Sequence, residues 1–446
     1  MAKSRKSIDE LWEAIFNDFK IDEAINEKGF FEITAKQIKE YKEPRLMTKF
    51  DNSSALPSSF YYNKNKNKSN KYLSILPTTR GSYIIGAFDA YHRLEEVSGK
   101  VKRIDFPSQY ETLNININSE AIALNVAYIS GILSDFINDD NLMPTVNGRM
   151  SSGKFDFYME LDTNRVANQK DNLSIKVEKA QIEIDGGYEG SKTLSLIEAK
   201  NVISDDFLVR QIYFPYRIWS NKIRKEINNI FMTHSNGTFN LYQYEFTKSD
   251  SPASIKLVKS QIYTLNPPID LGVIIKITDN IKIMLEPEIP FPQADDLRKV
   301  LSLCEALNQS EDEPEYQPLT KEGVAAKFGF HMRQSDYYIN AARYLGFIEI
   351  TKGKNTPIKI TQLGKEVFSK NGNERNIEIV KAILAHEVFN RCFKLYLKNS
   401  YDISKDDILG VMKECSLYNL NKEKCTYKRR ASTISSWIKW IIMLIN

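Results

Sequence analysis

IEIDGGYEGSKTLSLIEAK, residues 182–200, decides how the rest of the chain reads. Alternation through Thr193–Lys200 predicts a strand with Glu198 and Lys200 on one face beside Leu194 and Leu196, and Ile197 and Ala199 on the other. Before it, Leu173–Asp185 reads as a second strand, with Gln181, Glu183 and Asp185 on one face and Ile182 and Ile184 on the other. The Gly186-Gly187 pair with Gly190 marks a hairpin between the two. That pairing brings Asp185 towards the strand end that carries Glu198 and Lys200. A Glu-x-Lys triplet is commonly a solvated strand face with a cross-strand ion pair. Here apolar residues flank the charges on both faces, so the charges need partners or a metal.

Carboxylates with a neighbouring ammonium suit phosphodiester hydrolysis. Paired carboxylates hold one or two hard cations, and a lysine orients or deprotonates the attacking water. Asp156, in GKFDFYM, is the alternative first carboxylate, although it must reach across an extra strand. Glu183 shares the face of Asp185 and could assist.

Outward from this stretch, Ser119–Phe136 reads as one buried helix through Ile122, Val126, Ile129 and Leu133. Lys154–Leu161 reads as a strand, and Asp206–Ile223 as an aromatic-rich helix capped by Ser204 or Asp205. Ile230–His234 and Gly237–Phe246 are further strands, giving the order helix, three strands, helix, strand.

That order and the stretch 182–200 resemble the core of the PD-(D/E)XK nucleases, in particular type II restriction endonucleases. The resemblance implies that Asp185 and Glu198 bind Mg2+ and that Lys200 serves the attacking water. It makes Glu120, on the first helix, a further metal ligand. In RQIYFPYR it makes Gln211 and Arg217 phosphate contacts, although an amphipathic helix packing its aromatics on the sheet explains the same residues. Ile184 stands where the proline of the family motif would be.

Farther along, 319–350 has the grammar of a winged helix. Thr320 caps a short helix that Gly329 ends, and a second helix buries Tyr338, Ile339, Ala342 and Leu345. Its other face shows Arg333, Gln334, Tyr337, Asn340 and Arg343, side chains that read base edges and phosphates. IEITKGKNTPIKITQLG then reads as a two-stranded wing tipped by Lys352 and Lys354. Winged helices also bind proteins, so the segment is more specific for fold than for partner. In KCTYKRRASTISSWIKWI, Arg429 and Arg430 form either a second DNA contact or a basic turn before a core helix. Asn63–Lys71 is a low-complexity basic loop, solvated or contacting phosphate.

Composition sets the frame. A chain of 446 residues, 42% hydrophobic and 26% charged, suits a protein of two or three globular domains. Its net charge of +4, from 61 basic and 57 acidic residues, permits nucleic-acid binding without arguing for it. Cys304, Cys392, Cys415 and Cys425 form no CxxC pair, which argues against structural zinc and for reduced thiols in the cytoplasm. The N-terminus lacks a signal-type apolar run, and Trp437–Ile445 is too short to span a membrane.

The expected architecture is an α/β (α+β) restriction-endonuclease-like core with a central mixed sheet, followed by a mainly α winged-helix region. Its parts are an N-terminal region (1–110) that contacts DNA or dimerises, a nuclease core (111–290) and a linker with one helix (291–318). A winged helix (319–370) and a helical extension (371–446) complete the chain. The expected activity is Mg2+-dependent cleavage of double-stranded DNA at a specific sequence. A homodimer and a companion DNA methyltransferase follow from the resemblance. The rival readings are a modification-dependent DNA nuclease and a non-catalytic winged-helix DNA-binding regulator.

Overall fold

The computed structural model describes residues 7–63, 71–97, 100–113, 117–165, 172–310, 319–330, 332–350, 357–420 and 426–445. It is a mixed α/β protein with many helices. Among the described residues the largest sheet has seven strands and is mixed. Six of them are numbered here along the chain: β1 (Met143–Ser151), β2 (Gln181–Glu189), β3 (Thr193–Lys200), β4 (Glu226–Ser235), β5 (Thr238–Phe246) and β6 (Ile255–Thr264). The spatial order is Lys102–Arg103, β6, β5, β4, β3, β2, β1. β3 and β4 run parallel, with Lys200 beside Thr233, and every other pair along β1 to β6 is antiparallel.

The parallel β3–β4 pair requires a crossover, which α3 (Arg210–Trp219) supplies on one sheet face. On the opposite face lie α1 (Glu120–Ile129) and α2 (Ile132–Ile137). A single helix was expected over 119–136. Gly131, at φ 86°, breaks it, because that left-handed conformation is one that glycine adopts without steric cost.

Four other expectations shift. The strand expected over Leu173–Asp185 is two, Asn172–Glu178 and β2, divided at Lys179 with φ 54°. Gly186 and Gly187 lie inside β2, paired with Ile197 and Leu196, and the turn comes after them at 190–192. They serve close approach instead: a Cβ on Gly186 would meet the Tyr188 ring at 2.9 Å, and one on Gly187 would meet Val146 Cβ at 2.7 Å. The helix expected over 206–223 begins only at Arg210, since Asp206–Leu208 is drawn into a short ladder with Tyr91–Arg93. β1 was not anticipated; Pro144, Asn147 and Gly148 hide the alternation of an edge strand.

The N-terminal region packs two helices, Ile8–Asp18 and Ile21–Lys28, against a three-stranded antiparallel sheet. Its buried side chains, Trp12, Phe60, Ile75 and Ile85 among them, share one apolar core with α3 and one face of the large sheet. Lys154–Glu160 and Asn172–Glu178 pair as a separate ribbon over that core.

The C-terminal region has its own core. α4 (Leu297–Ser310), expected within a linker, lies at its centre with Val300, Leu301, Leu303 and Cys304 fully buried. α5 (Lys321–Phe328) is capped by Thr320 and closed by Gly329 at φ 67°, as the sequence predicts. α6 (Met332–Tyr344) follows, then an antiparallel ladder of Ile348–Ile350 with Ile358–Ile360. Lys352 and Lys354, at the expected wing tip, and most of the basic loop at 63–71 lie outside the described residues. α7 (Thr426–Ile445) packs Trp437 against Phe389, and the Trp437 indole N–H donates to Ala294 O at 2.8 Å. Cys304, Cys392 and Cys415 are buried free thiols. No helix among the described residues is long and apolar enough to cross a membrane.

Candidate active site

The β2–β3 ladder ends at Gly186 and Ile197. One step farther, β2 would have to supply a main-chain acceptor for Ala199, but its register against β1 slips between Ile184 and Gly187. The Asp185 carboxylate takes over: the Ala199 amide donates to Asp185 Oδ2 at 2.9 Å. The slipped register thus holds Asp185 at the end of β3, beside Glu198.

Glu198 is 7% exposed and lies on the α3 face of β3. Its Oε1 accepts from Lys200 Nζ at 2.5 Å and from Gln211 Nε2, on α3, also at 2.5 Å. Burial pushes the Glu198 carboxyl up to about 8, against the pull of Lys200, with Asp185 and Asp51 adding to the rise. Burial alone would lower the Lys200 ammonium; Glu198, Asp51 and Glu120 outweigh it and raise it. Asp185 and Glu120 are both raised by burial, while Lys200 lowers each. Glu120, at the start of α1, therefore belongs to the same electrostatic neighbourhood. Of the residues expected here, Asp185, Glu198, Lys200, Gln211 and Glu120 come together.

Arg217 does not join them. Its Nη1 donates to Asp156 O at 2.9 Å and to the Tyr213 hydroxyl at 2.7 Å, and its guanidinium lies over Phe155. It fastens the ribbon to α3. The Asp156 side chain is exposed on that ribbon. Glu183 faces solvent against Arg149 at 3.3 Å.

Asp51 and Lys49 were not singled out from the sequence. Both line a cleft of about 310 Å³ with Glu120, Lys200, Asn201 and Lys327. No motif marks Asp51. It sits some 130 residues from the hairpin in a segment whose route only the fold sets, with Leu208 N donating to Asp51 O at 3.0 Å. α5 closes the cleft from the other side. Asn52 Nδ2 donates to Ala326 O at 3.1 Å, and a Cβ on Gly329 would meet Asn52 at 3.0 Å.

The donor set is one of hard oxygens, which suits Mg2+ in kind. Among the described residues, however, no group of three His, Cys, Asp or Glu side chains stands close enough to hold a metal ion. Glu198 is instead engaged by Lys200 and Gln211, and Asp185 by the Ala199 amide.

On α6, Arg333 Nε donates to the Tyr337 hydroxyl at 2.8 Å and Arg343 Nη1 to Asn340 Oδ1 at 3.0 Å. Gln334 is half-buried. Arg429 is exposed at the start of α7, while Arg430 is half-buried, donates to Gln293, and lies within electrostatic reach of Tyr337.

Three domains of unknown function match successive parts of the chain: DUF6996 over residues 9–85, DUF6997 over 86–264 and DUF7226 over 299–446. The first boundary falls inside the strand Ser82–Gly86, so the first two matched segments are structurally interlocked. No curated protein and no solved structure matches the chain.

Proposed function

We propose that the chain is a Mg2+-dependent endonuclease of the PD-(D/E)XK type that cuts double-stranded DNA at a specific sequence, in the manner of type II restriction enzymes. The observation that carries this reading is the constellation at the end of β3: Glu198 and Lys200 on one strand, Asp185 on the next, and Gln211 from the crossover helix. The sheet, with α1 before it and α3 crossing from β3 to β4, is what a restriction-endonuclease-like core would have. The succession α4, α5, α6 and a two-stranded ladder supports a winged helix.

Asp185 and Glu198, with Glu120 or Asp51, are the carboxylates that would have to draw closer together to hold Mg2+, which would supply charge neutralisation at the scissile phosphate. Lys200 keeps a positive charge in a buried setting and can orient a water by donating to it. Gln211 fixes the Glu198 carboxylate, so the strand and the crossover helix position it together. Arg333, Tyr337 and Arg429 would contact DNA.

Purified full-length chain, incubated with unmethylated and methylated duplex DNA and with Mg2+ or EDTA, tests the proposal. Discrete Mg2+-dependent fragments are expected from unmethylated DNA. Cleavage of methylated DNA alone would replace it with the modification-dependent reading. DNA binding without cleavage under any divalent metal would overturn the nuclease and leave a regulator.

A further inference from the structure

A second cavity lies beyond the carboxylate cleft. It has a volume of about 490 Å³, within the range of small-ligand sites. Its floor is the β4–β5 hairpin, where Asn236 at φ 48° and Gly237 at φ 69° make a tight turn. α4 and the segment Asn371–Arg375 form one wall, and Phe106 and Ile117–Asn118 another.

The charges at this cavity are already paired. Arg375 Nη1 donates to Glu305 Oε1 at 2.6 Å, and its other nitrogens reach Lys370 O and Phe368 O. Glu305 Oε2 accepts from Ser235 Oγ at 3.0 Å and from Asn236 N at 2.8 Å. The pair therefore offers little to an anion or a metal. What remains is neutral. His234 is 3% exposed and lines the cavity, and its Nε2 has no hydrogen-bond partner. Burial, reinforced by Arg375, brings its imidazole down to about 4, against Glu305, so it is uncharged. The Asn373 Oδ1 is likewise buried without a partner. Asn118, Asn308 and Gln309 add amides, and the half-buried Phe106 adds a flat apolar face.

Neutral donors and acceptors around an aromatic face are the chemistry that recognises a nucleobase, by stacking and by hydrogen bonds along its edge. We propose that this cavity binds a neutral heteroaromatic base, presented either by a free nucleoside or by a base turned out of a nucleic acid. Two chain connections tie it to the carboxylate cleft. Asn118 lines the cavity and Glu120 the cleft, and His234 follows Thr233, the register partner of Lys200.

The test uses the fluorescence of 2-aminopurine with the full-length chain in EDTA, so binding is read without cleavage. One arm titrates 2-aminopurine riboside and the other a DNA duplex carrying one 2-aminopurine. Saturable quenching of the riboside, with Kd below about 1 mM, supports a nucleoside site, whereas brightening of the duplex supports a turned-out base. His234→Phe removes the unpartnered ring nitrogen and Asn308→Trp fills the cavity from a half-buried position. Each should weaken the signal at least about tenfold while thermal melting reports an intact fold. Both arms run in EDTA and read binding alone, so failure of the nuclease reading and failure of this one are separable. No saturable signal in either arm, or an unaltered signal in the folded Asn308→Trp variant, overturns the proposal.

Discussion

Asp185 Oδ2 accepts the main-chain amide of Ala199 at 2.9 Å, so the carboxylate completes the β2–β3 ladder where the strands separate. One side chain thus has a structural role and a proposed catalytic one, and the two are separable. Asp185→Asn keeps an acceptor for the amide, whereas Asp185→Ala leaves a part-buried N–H unpaired. Both should abolish Mg2+-dependent cleavage with DNA binding retained. Only the alanine variant should lose stability, by about 1–3 kcal/mol in urea unfolding. Wild-type cleavage by Asp185→Asn would remove Asp185 from the chemistry.

Glu198 sets a pH dependence. Its pKa is raised by burial, so the stability it contributes is present below its unfolded value of about 4.3 and is lost as pH rises through about 8. The metal-free chain should therefore be less stable at high than at mildly acidic pH, and Glu198→Gln should flatten that fall. Cation binding needs the carboxylate, so Mg2+ affinity should rise with pH and release roughly one proton per cation at neutral pH. Calorimetry in buffers of different ionisation enthalpy measures this. A proton count of zero would contradict it.

Asp51 joins the site from the N-terminal region and raises the proton affinity of Asp185, Glu198 and Glu120. Asp51→Asn should move the pH midpoint of Mg2+ binding downwards and reduce cleavage about 10–100-fold. Unaltered pH and cleavage profiles would confine Asp51 to the structural contacts of its own segment.

Gln211 and Arg217 lie on one helix with different neighbours. Gln211→Ala should slow cleavage at least about tenfold, since the Glu198 carboxylate loses an anchor. Arg217→Ala should lower stability by about 1 kcal/mol and leave cleavage by the folded protein unchanged. The reverse pattern would exchange their roles.

Arg333 on α6 and Arg429 on α7 are both exposed. If each meets a phosphate, alanine at either should weaken DNA binding on all sequences and lower the slope of log K against log salt by about 0.9. Filter binding across salt concentrations reads this directly. A slope unaltered in both variants would place the DNA elsewhere.

Much of the site was legible because it is local. Glu198 and Lys200 share a strand face by period alone, and Asp185 is close in sequence to the pair. The helix capped by Thr320 and ended by Gly329 follows from local turn chemistry in the same way. Sequence could not say that Gly186 and Gly187 sit within a strand, since a glycine that relieves a close approach looks like one that turns the chain. Nor could it bring Asp51 to the cleft, leave Arg217 holding a ribbon, or put α4 in a core. Those outcomes depend on long-range packing, which decides which polar groups end up buried together. Burial then gives the hairpin its character: the same carboxylate that would be an ordinary acid in water holds its proton to about 8 beside Lys200.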